Sequence, residues 1–250
     1  MIYRLSKLLS AFPEVLAAES TRHGGVSPAP YESLNLGLHT NDAPQHVREN
    51  RRRFFAALGI SEDTISGGHQ VHGDQVFVAT APGLQEGYDA FITQKKGLFV
   101  TVGIADCTPV LIYDTGQQAV AAVHAGWKGT ALGIVRKTLE AMHTKFGTQA
   151  ADCYAWVGTC IDECSYEVGV EVARHFDAAF KTQLEGSEKF TLDLKAANKA
   201  LLLQWGIPES QIEVSPYSTV LNPEDYFSHR REHGLTGRMM AVIGIREPEK

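Results

Sequence analysis

The chain has 250 residues and a formal net charge of -6, with 44% hydrophobic and 21% charged residues. These values fit an ordinary soluble globular protein able to bury a sizeable core. The acidic balance counts against a general affinity for nucleic acid or anionic membrane, since both need a basic excess. No apolar run approaches the roughly 20 residues of a membrane helix. Met1 to Pro13 lack the uninterrupted apolar core of a secretory signal, so the expected location is the cytoplasm. Cys107, Cys153, Cys160 and Cys164 are too few for a disulfide framework in a chain of this size. Each is left as a buried small hydrophobe, a ligand or a nucleophile.

In chain order, Glu14 to Ser20 is predicted as a strand ended by the turn at Gly24-Gly25. A helix should follow Asp42-Ala-Pro44, because Asp42 can cap and proline suits a first helical turn. Val47, Arg51, Phe54, Phe55 and Leu58 then share one face, with Arg51 near its edge. Short β-branched runs at Gln75 to Thr80, Leu98 to Ile104, Val110 to Asp114 and Ala119 to His124 read as strands. A helix with Ile134, Val135, Leu139, Met142 and Phe146 on its apolar side should stop at Gly147. Cys153 to Val157 reads as a strand. Val168, Val172, Phe176 and Phe180 recur every four residues, predicting a helix on a sheet. Another helix is expected from about Asp193 to Trp205, then closing strands at Ile212 to Ser215 and Met239 to Ile245. The expectation is an α+β fold: a single domain, 1–250, of mixed β-sheets flanked by helices.

Three segments place polar residues inside apolar surroundings: His69-Gln-Val-His72-Gly, Ile104-Ala-Asp106-Cys107-Thr-Pro, and Val123-His124-Ala-Gly-Trp127-Lys128-Gly-Thr130. Each sets an imidazole or thiol near a strand end, where loops converge. Two imidazoles and a thiolate suit Zn²⁺, and three protein ligands leave one position open for chemistry. Closed structural sites use four ligands and usually paired Cys-x-x-Cys spacing, which this sequence lacks.

These segments resemble the motifs of the bacterial laccase-domain family, the YfiH-like proteins also called polyphenol oxidases: Gln-x-His-Gly, Thr-Ala-Asp-Cys-x-Pro and Ala-Val-His-Ala-Gly-Trp-Arg-Gly. Ser33-Leu-Asn35-Leu-Gly37-Leu-His39, Val47-Arg-Glu-Asn50-Arg51, Ser165-Tyr166-Glu167-Val168-Gly169, Phe227-Ser-His-Arg230-Arg231 and Thr236-Gly237-Arg238-Met239 extend the likeness over nearly the whole chain. The resemblance implies metal ligands at His72, Cys107 and His124. It also implies zinc-dependent phosphorolysis of purine nucleosides (adenosine, inosine, guanosine or methylthioadenosine) and adenosine deamination. Some members are linked instead to peptidoglycan-precursor editing. The sequence departs from the family in three places. Val102-Gly-Ile-Ala105 precedes Asp106-Cys107 where Thr-Ala is common, Lys128 stands for a frequent Arg, and Gly158-Thr-Cys160-Ile-Asp162-Glu-Cys164 replaces Gly-Pro-x-Ile-Gly-Pro. The last change alters the expected substrate-facing wall.

In that scheme zinc activates a bound water, and Asp106 is the candidate catalytic group, supporting the ligands or carrying a proton. Its other reading is a turn residue bonded to backbone amides. His69 is a proton relay or simply an exposed histidine. The Gly126 to Thr130 turn, leading into a helix, is a candidate phosphate cradle, with Lys128, Arg51, Arg230, Arg231 and Arg238 as anion partners or structural ion pairs. Asn35 bonds substrate or holds a turn; Trp127 and Tyr166 stack on a base or fill the core. Two other classes compete. One is a metal-free cysteine hydrolase, Cys107 nucleophile and His124 base, fitting peptidoglycan-precursor editing. The other is a binding protein whose metal orders loops, with Cys160 or Cys164 as fourth ligand. Copper is the poorer fit, because multicopper sites need more clustered His and Cys.

Overall fold

A computed structural model describes residues 1–247. Two six-stranded sheets lie face to face. In spatial order the first consists of Tyr3–Leu5, Val15–Ser20, Met239–Ile245, Phe99–Ile104, Ile65–His69 and Gly83–Glu86. The second runs Ile212–Val214, Cys153–Val157, Thr108–Asp114, Ala119–Ala125, Ala90–Thr93 and Val76–Val78. Both mix parallel and antiparallel pairs: Ile65–His69 lies parallel to both of its neighbours, while Thr108–Asp114 and Ala119–Ala125 form an antiparallel hairpin.

Alternation along the central strands decides the layers. Leu111, Tyr113, Val120 and Ala122 face Val100, Val102, Ala241 and Ile243 of the other sheet. Their neighbours Val110, Ile112, Ala121 and Val123 face outward onto Ile134, Val135, Leu139 and Leu202 of the helices Ile134–Phe146 and Leu194–Trp205. The first sheet turns Leu16, Ala18 and Val242 onto Phe54 and Phe55 of the helix Pro44–Ala57. Strands covered on both faces have no polar side, so they read as continuous apolar runs. The α+β arrangement of mixed sheets flanked by helices matches expectation.

Most elements lie where the sequence puts them. Asp42 departs slightly: Ala43 is the residue flanking the helix, and Asp42 Oδ1 accepts from the Ala43 amide and faces His46 Nδ1. The predicted helix through Val168, Val172, Phe176 and Phe180 does not form. Only Val170–Ala173 is α-helical; Val168 lies in a short strand and Phe180 in a 3₁₀ turn. Lys181 Nζ donates to the Ala173 carbonyl at 2.6 Å, at the C-terminal end of that single turn. The four-residue spacing arises because separate short elements each send an apolar side chain into one small cluster with Leu192, Leu194 and Ala197. A three-stranded sheet, Glu167–Val168, Phe190–Leu192 and Lys181–Gln183, completes this lobe. Among the described residues no helix is long and apolar enough to cross a membrane.

Candidate metal centre

Three chain-distant segments meet where the chain crosses from the first sheet to the second. His72 follows the strand Ile65–His69, Cys107 occupies the turn between Phe99–Ile104 and Thr108–Asp114, and His124 lies inside Ala119–Ala125. Their donor atoms all fall within 4.8 Å of one another, and the two imidazole rings meet edge-on with centroids 4.9 Å apart. His124 is buried, Cys107 partly so, and His72 exposed. The group therefore opens to one side.

Asp89 organises the centre, although none of the motifs carrying His72, Cys107 or His124 contains it. Fully buried, its Oδ1 lies 2.8 Å from His124 Nδ1 and 3.0 Å from the His72 amide. Its Oδ2 accepts from the Gly73 amide at 2.7 Å and from Val71 at 3.2 Å. One carboxylate thus orients the ring of one candidate ligand and holds the backbone of another. It also leaves Nε2 of His124 as the nitrogen free to ligate. Burial opposes its charge, but His124 and the converging amides hold the Asp89 carboxyl below the ordinary carboxylate range. The only signal in the sequence was an acid at the foot of an apolar strand, Tyr88-Asp89-Ala90-Phe91-Ile92.

Two residues at the site adopt left-handed backbone: His72 with φ 58° and Asp106 with φ 85°. For non-glycine residues this is strained geometry that surrounding bonds must hold. At His72, Asp89 holds it. At Asp106, Oδ1 accepts from Thr219 Oγ1 at 2.5 Å and Oδ2 from the Arg230 amide at 2.6 Å. Both carboxylate oxygens are thus engaged in bracing the turn that presents Cys107.

The electrostatics fit a metal-ligating thiolate. Burial would push the Cys107 thiol up, yet His124 and His72 beside it bring it down to about 6. Burial would likewise discharge His124, but Cys107 and Asp89 raise it to about 9. Without an ion the pair favours thiolate and imidazolium. A cation would replace that proton, since metals bind the deprotonated thiol and neutral imidazole. Gly126 completes the cradle: a Cβ there would lie 2.9 Å from Cys107 Sγ and 3.1 Å from His72 Cδ2. The residues present fit a three-ligand ion. Cys160 is buried, with its thiol pushed up to about 12 by burial, and Cys164 is exposed against Asp162. Neither joins the group.

The centre opens into a cavity of about 480 Å³, a size suited to a small molecule. Arg51, Arg230 and Arg238 line it, as do Trp127 and Tyr166. Arg230 stacks 5.1 Å over Tyr166 and donates to the Glu167 carbonyl. Arg51 reaches the wall while bonded to Glu62 at 2.5 Å. Asn35 and Lys128 are not brought to the cavity. Asn35 is fully buried, its amide donating to Thr40 and Asp42 and its oxygen accepting from the Gly37 and Arg238 amides. Lys128 is exposed on the one-turn helix Trp127–Ala131.

A family model described as multi-copper polyphenol oxidoreductase laccase matches residues 16–246. The chain belongs to this family. A Deinococcus radiodurans relative named purine nucleoside phosphorylase is 42% identical over 230 residues, covering 91% of this chain and 88% of that protein. The Escherichia coli purine nucleoside phosphorylase YfiH is 36% identical over 236 residues, 92% of this chain and 94% of its own length. The crystal structure of Bacillus licheniformis YfiH superposes with a TM-score of 0.91 at 33% identity, covering 98% and 99% of the two chains. YlmD from Geobacillus stearothermophilus gives 0.87 at 34% identity, covering 94% and 93%. The laccase-domain fold in this chain thus carries a Cys-containing triad at the base of a small-molecule cavity.

Proposed function

We propose that this protein is a zinc-dependent purine nucleoside phosphorylase, with adenosine deamination as a second activity of the same centre. The observation that carries the reading is the convergence of His72, Cys107 and His124 beneath one cavity. Full-length relatives named purine nucleoside phosphorylase support it. Zinc held by these three residues would supply a Lewis acid and an open position for the reacting oxygen.

In phosphorolysis a phosphate oxygen forms a bond to the ribose C1′ while the bond from C1′ to the base nitrogen breaks. The base leaves with the electron pair and takes up a proton. Arg230 and Arg238 line the cavity, which supports a role for them in holding the phosphate by charge-assisted hydrogen bonds. Trp127 and Tyr166 offer ring faces to the purine. Asp106 acts by holding Cys107 in position, through its bonds to Thr219 and Arg230.

The thiolate–imidazolium pair of Cys107 and His124 also favours a second reading, a cysteine hydrolase acting on peptidoglycan precursors. One assay separates the two. Zinc-loaded protein is incubated with adenosine, inosine, guanosine and methylthioadenosine, with and without phosphate, and with a serine-containing muropeptide precursor. Free base plus ribose-1-phosphate, dependent on phosphate and lost in Cys107→Ala and His124→Ala, supports the phosphorylase. Cleavage of the precursor alone, insensitive to chelation, overturns it.

A further inference from the structure

Away from the Cys-containing triad, the molecule gathers a second set of metal-binding side chains. The donor atoms of His39, His69 and Glu86 lie within 4.8 Å of one another. His69 and Glu86 face each other across the parallel pair Ile65–His69 and Gly83–Glu86, with Nδ1 2.9 Å from Oε2. A surface ion pair would need nothing more. Yet a third group is present: the His39 ring lies with its centroid 4.3 Å from that of His69 and the planes tilted by 34°.

All three side chains are exposed, but the backbone behind each is fastened. The loop carrying His39 is pinned by Asn35, which donates to Thr40 and accepts from the Gly37 and Arg238 amides, while Thr40 donates back to the Gly37 carbonyl. Next to His69, Gln70 donates to the Gly103 carbonyl at 2.8 Å and accepts from the Gly103 amide at 2.7 Å. The Gly87 amide closes the Glu86 strand end onto the His69 carbonyl. Preorganised backbones lower the ordering cost of bringing three exposed side chains to one point.

We propose that His39, His69 and Glu86 form a second divalent-cation site at the rim of the cavity. Two imidazoles and a carboxylate form the donor set of open zinc sites, suited to a borderline first-row ion with exchangeable positions left over. His39 and His69 both line the cavity into which the triad opens, so an ion here faces the same space. Affinity is lower than at the triad, because this site is exposed and lacks a thiolate. The proposal rests on these three donors and not on the purine reading.

The test is Co²⁺ binding to the full chain after chelator treatment, followed by equilibrium dialysis and absorption. The triad marks itself by a thiolate-to-cobalt charge-transfer band, which a His₂Glu site cannot give. Wild-type protein is expected to take up a further equivalent at higher free Co²⁺ with no growth of that band. Cys107→Ser should lose the band and keep this uptake. His39→Ala/His69→Ala should keep the band and lose the uptake, and Glu86→Gln should weaken it. These side chains are exposed, and unchanged melting curves would verify the fold. The proposal is overturned if wild type takes up no band-less equivalent, or if the double variant takes it up undiminished. A missing thiolate band in wild type would count against the triad instead; band-less uptake removed in the double variant would still support the second site.

Discussion

Asp89 joins His124 and His72 through a single oxygen, 2.8 Å from the ring nitrogen of one and 3.0 Å from the backbone amide of the other. The two histidines lie 52 positions apart in the chain, and this buried carboxylate ties their geometry together. Asp89→Asn keeps the shape but removes the charge that fixes the His124 tautomer. Zinc affinity is expected to fall about 10–100-fold, measured by competition with a chromophoric chelator. Unchanged affinity would show that Asp89 only supports the loop.

Gly126→Ala tests the cradle. The added methyl would sit 2.9 Å from Cys107 Sγ, so the thiol or the His72 ring has to shift. The variant is expected to fold, with a melting temperature close to wild type, while zinc retention and turnover drop at least about tenfold, since small misplacements at a reacting centre are costly. Metal analysis of the purified variant reads this directly.

Arg230 and Lys128 lie on opposite sides of a simple distinction. Arg230 lines the cavity and stacks on Tyr166, whereas Lys128 is exposed and outside the lining. Arg230→Ala is expected to raise KM for phosphate about tenfold, the usual cost of one lost charge-assisted hydrogen bond. Lys128→Ala should change it much less. Equal effects of the two substitutions would place the anion elsewhere.

Glu19 gives the fold a pH dependence of its own. Its Oε1 accepts from the Thr159 amide at 2.8 Å, while Oε2 is buried with no partner among the described residues. Burial pushes its carboxyl up to about 7 from 4.5. The folded state therefore holds the proton more tightly than the unfolded chain. Its contribution is best below about 4.5 and is lost progressively as pH rises to about 7. At 1.36 kcal/mol per pKa unit the loss is roughly 3 kcal/mol. Glu19→Gln keeps an acceptor for Thr159 and carries no charge. Thermal melts across pH 4–8 should show wild type losing stability relative to the variant as pH rises; parallel profiles would contradict this.

Much of the molecule was legible in the residues because local patterns carried it. The helices Pro44–Ala57, Ile134–Phe146 and Leu194–Trp205 have long apolar stripes and clear ends. Central strands buried on both faces gave unbroken apolar runs. Short elements were harder to read. Gly83–Glu86 shows no apolar alternation, and the four-residue rhythm from Val168 to Phe180 imitated a helix where separate short elements share one apolar cluster.

Sequence by itself determined the donor types, imidazole and thiol set into three distant motifs, and the apolar runs that had to become covered strands. Only the tertiary structure decided which carboxylate serves the centre. Asp106 adjoins Cys107 in the chain, but its oxygens are turned onto Thr219 and Arg230, while Asp89 reaches both histidines from the bend just before the strand Ala90–Thr93. Tertiary folding also drew His39 to His69 and Glu86, and withdrew Asn35 from the cavity. The reason is physical: a residue's type is local, but what its side chain can touch depends on strand pairing and sheet packing between segments far apart in the chain.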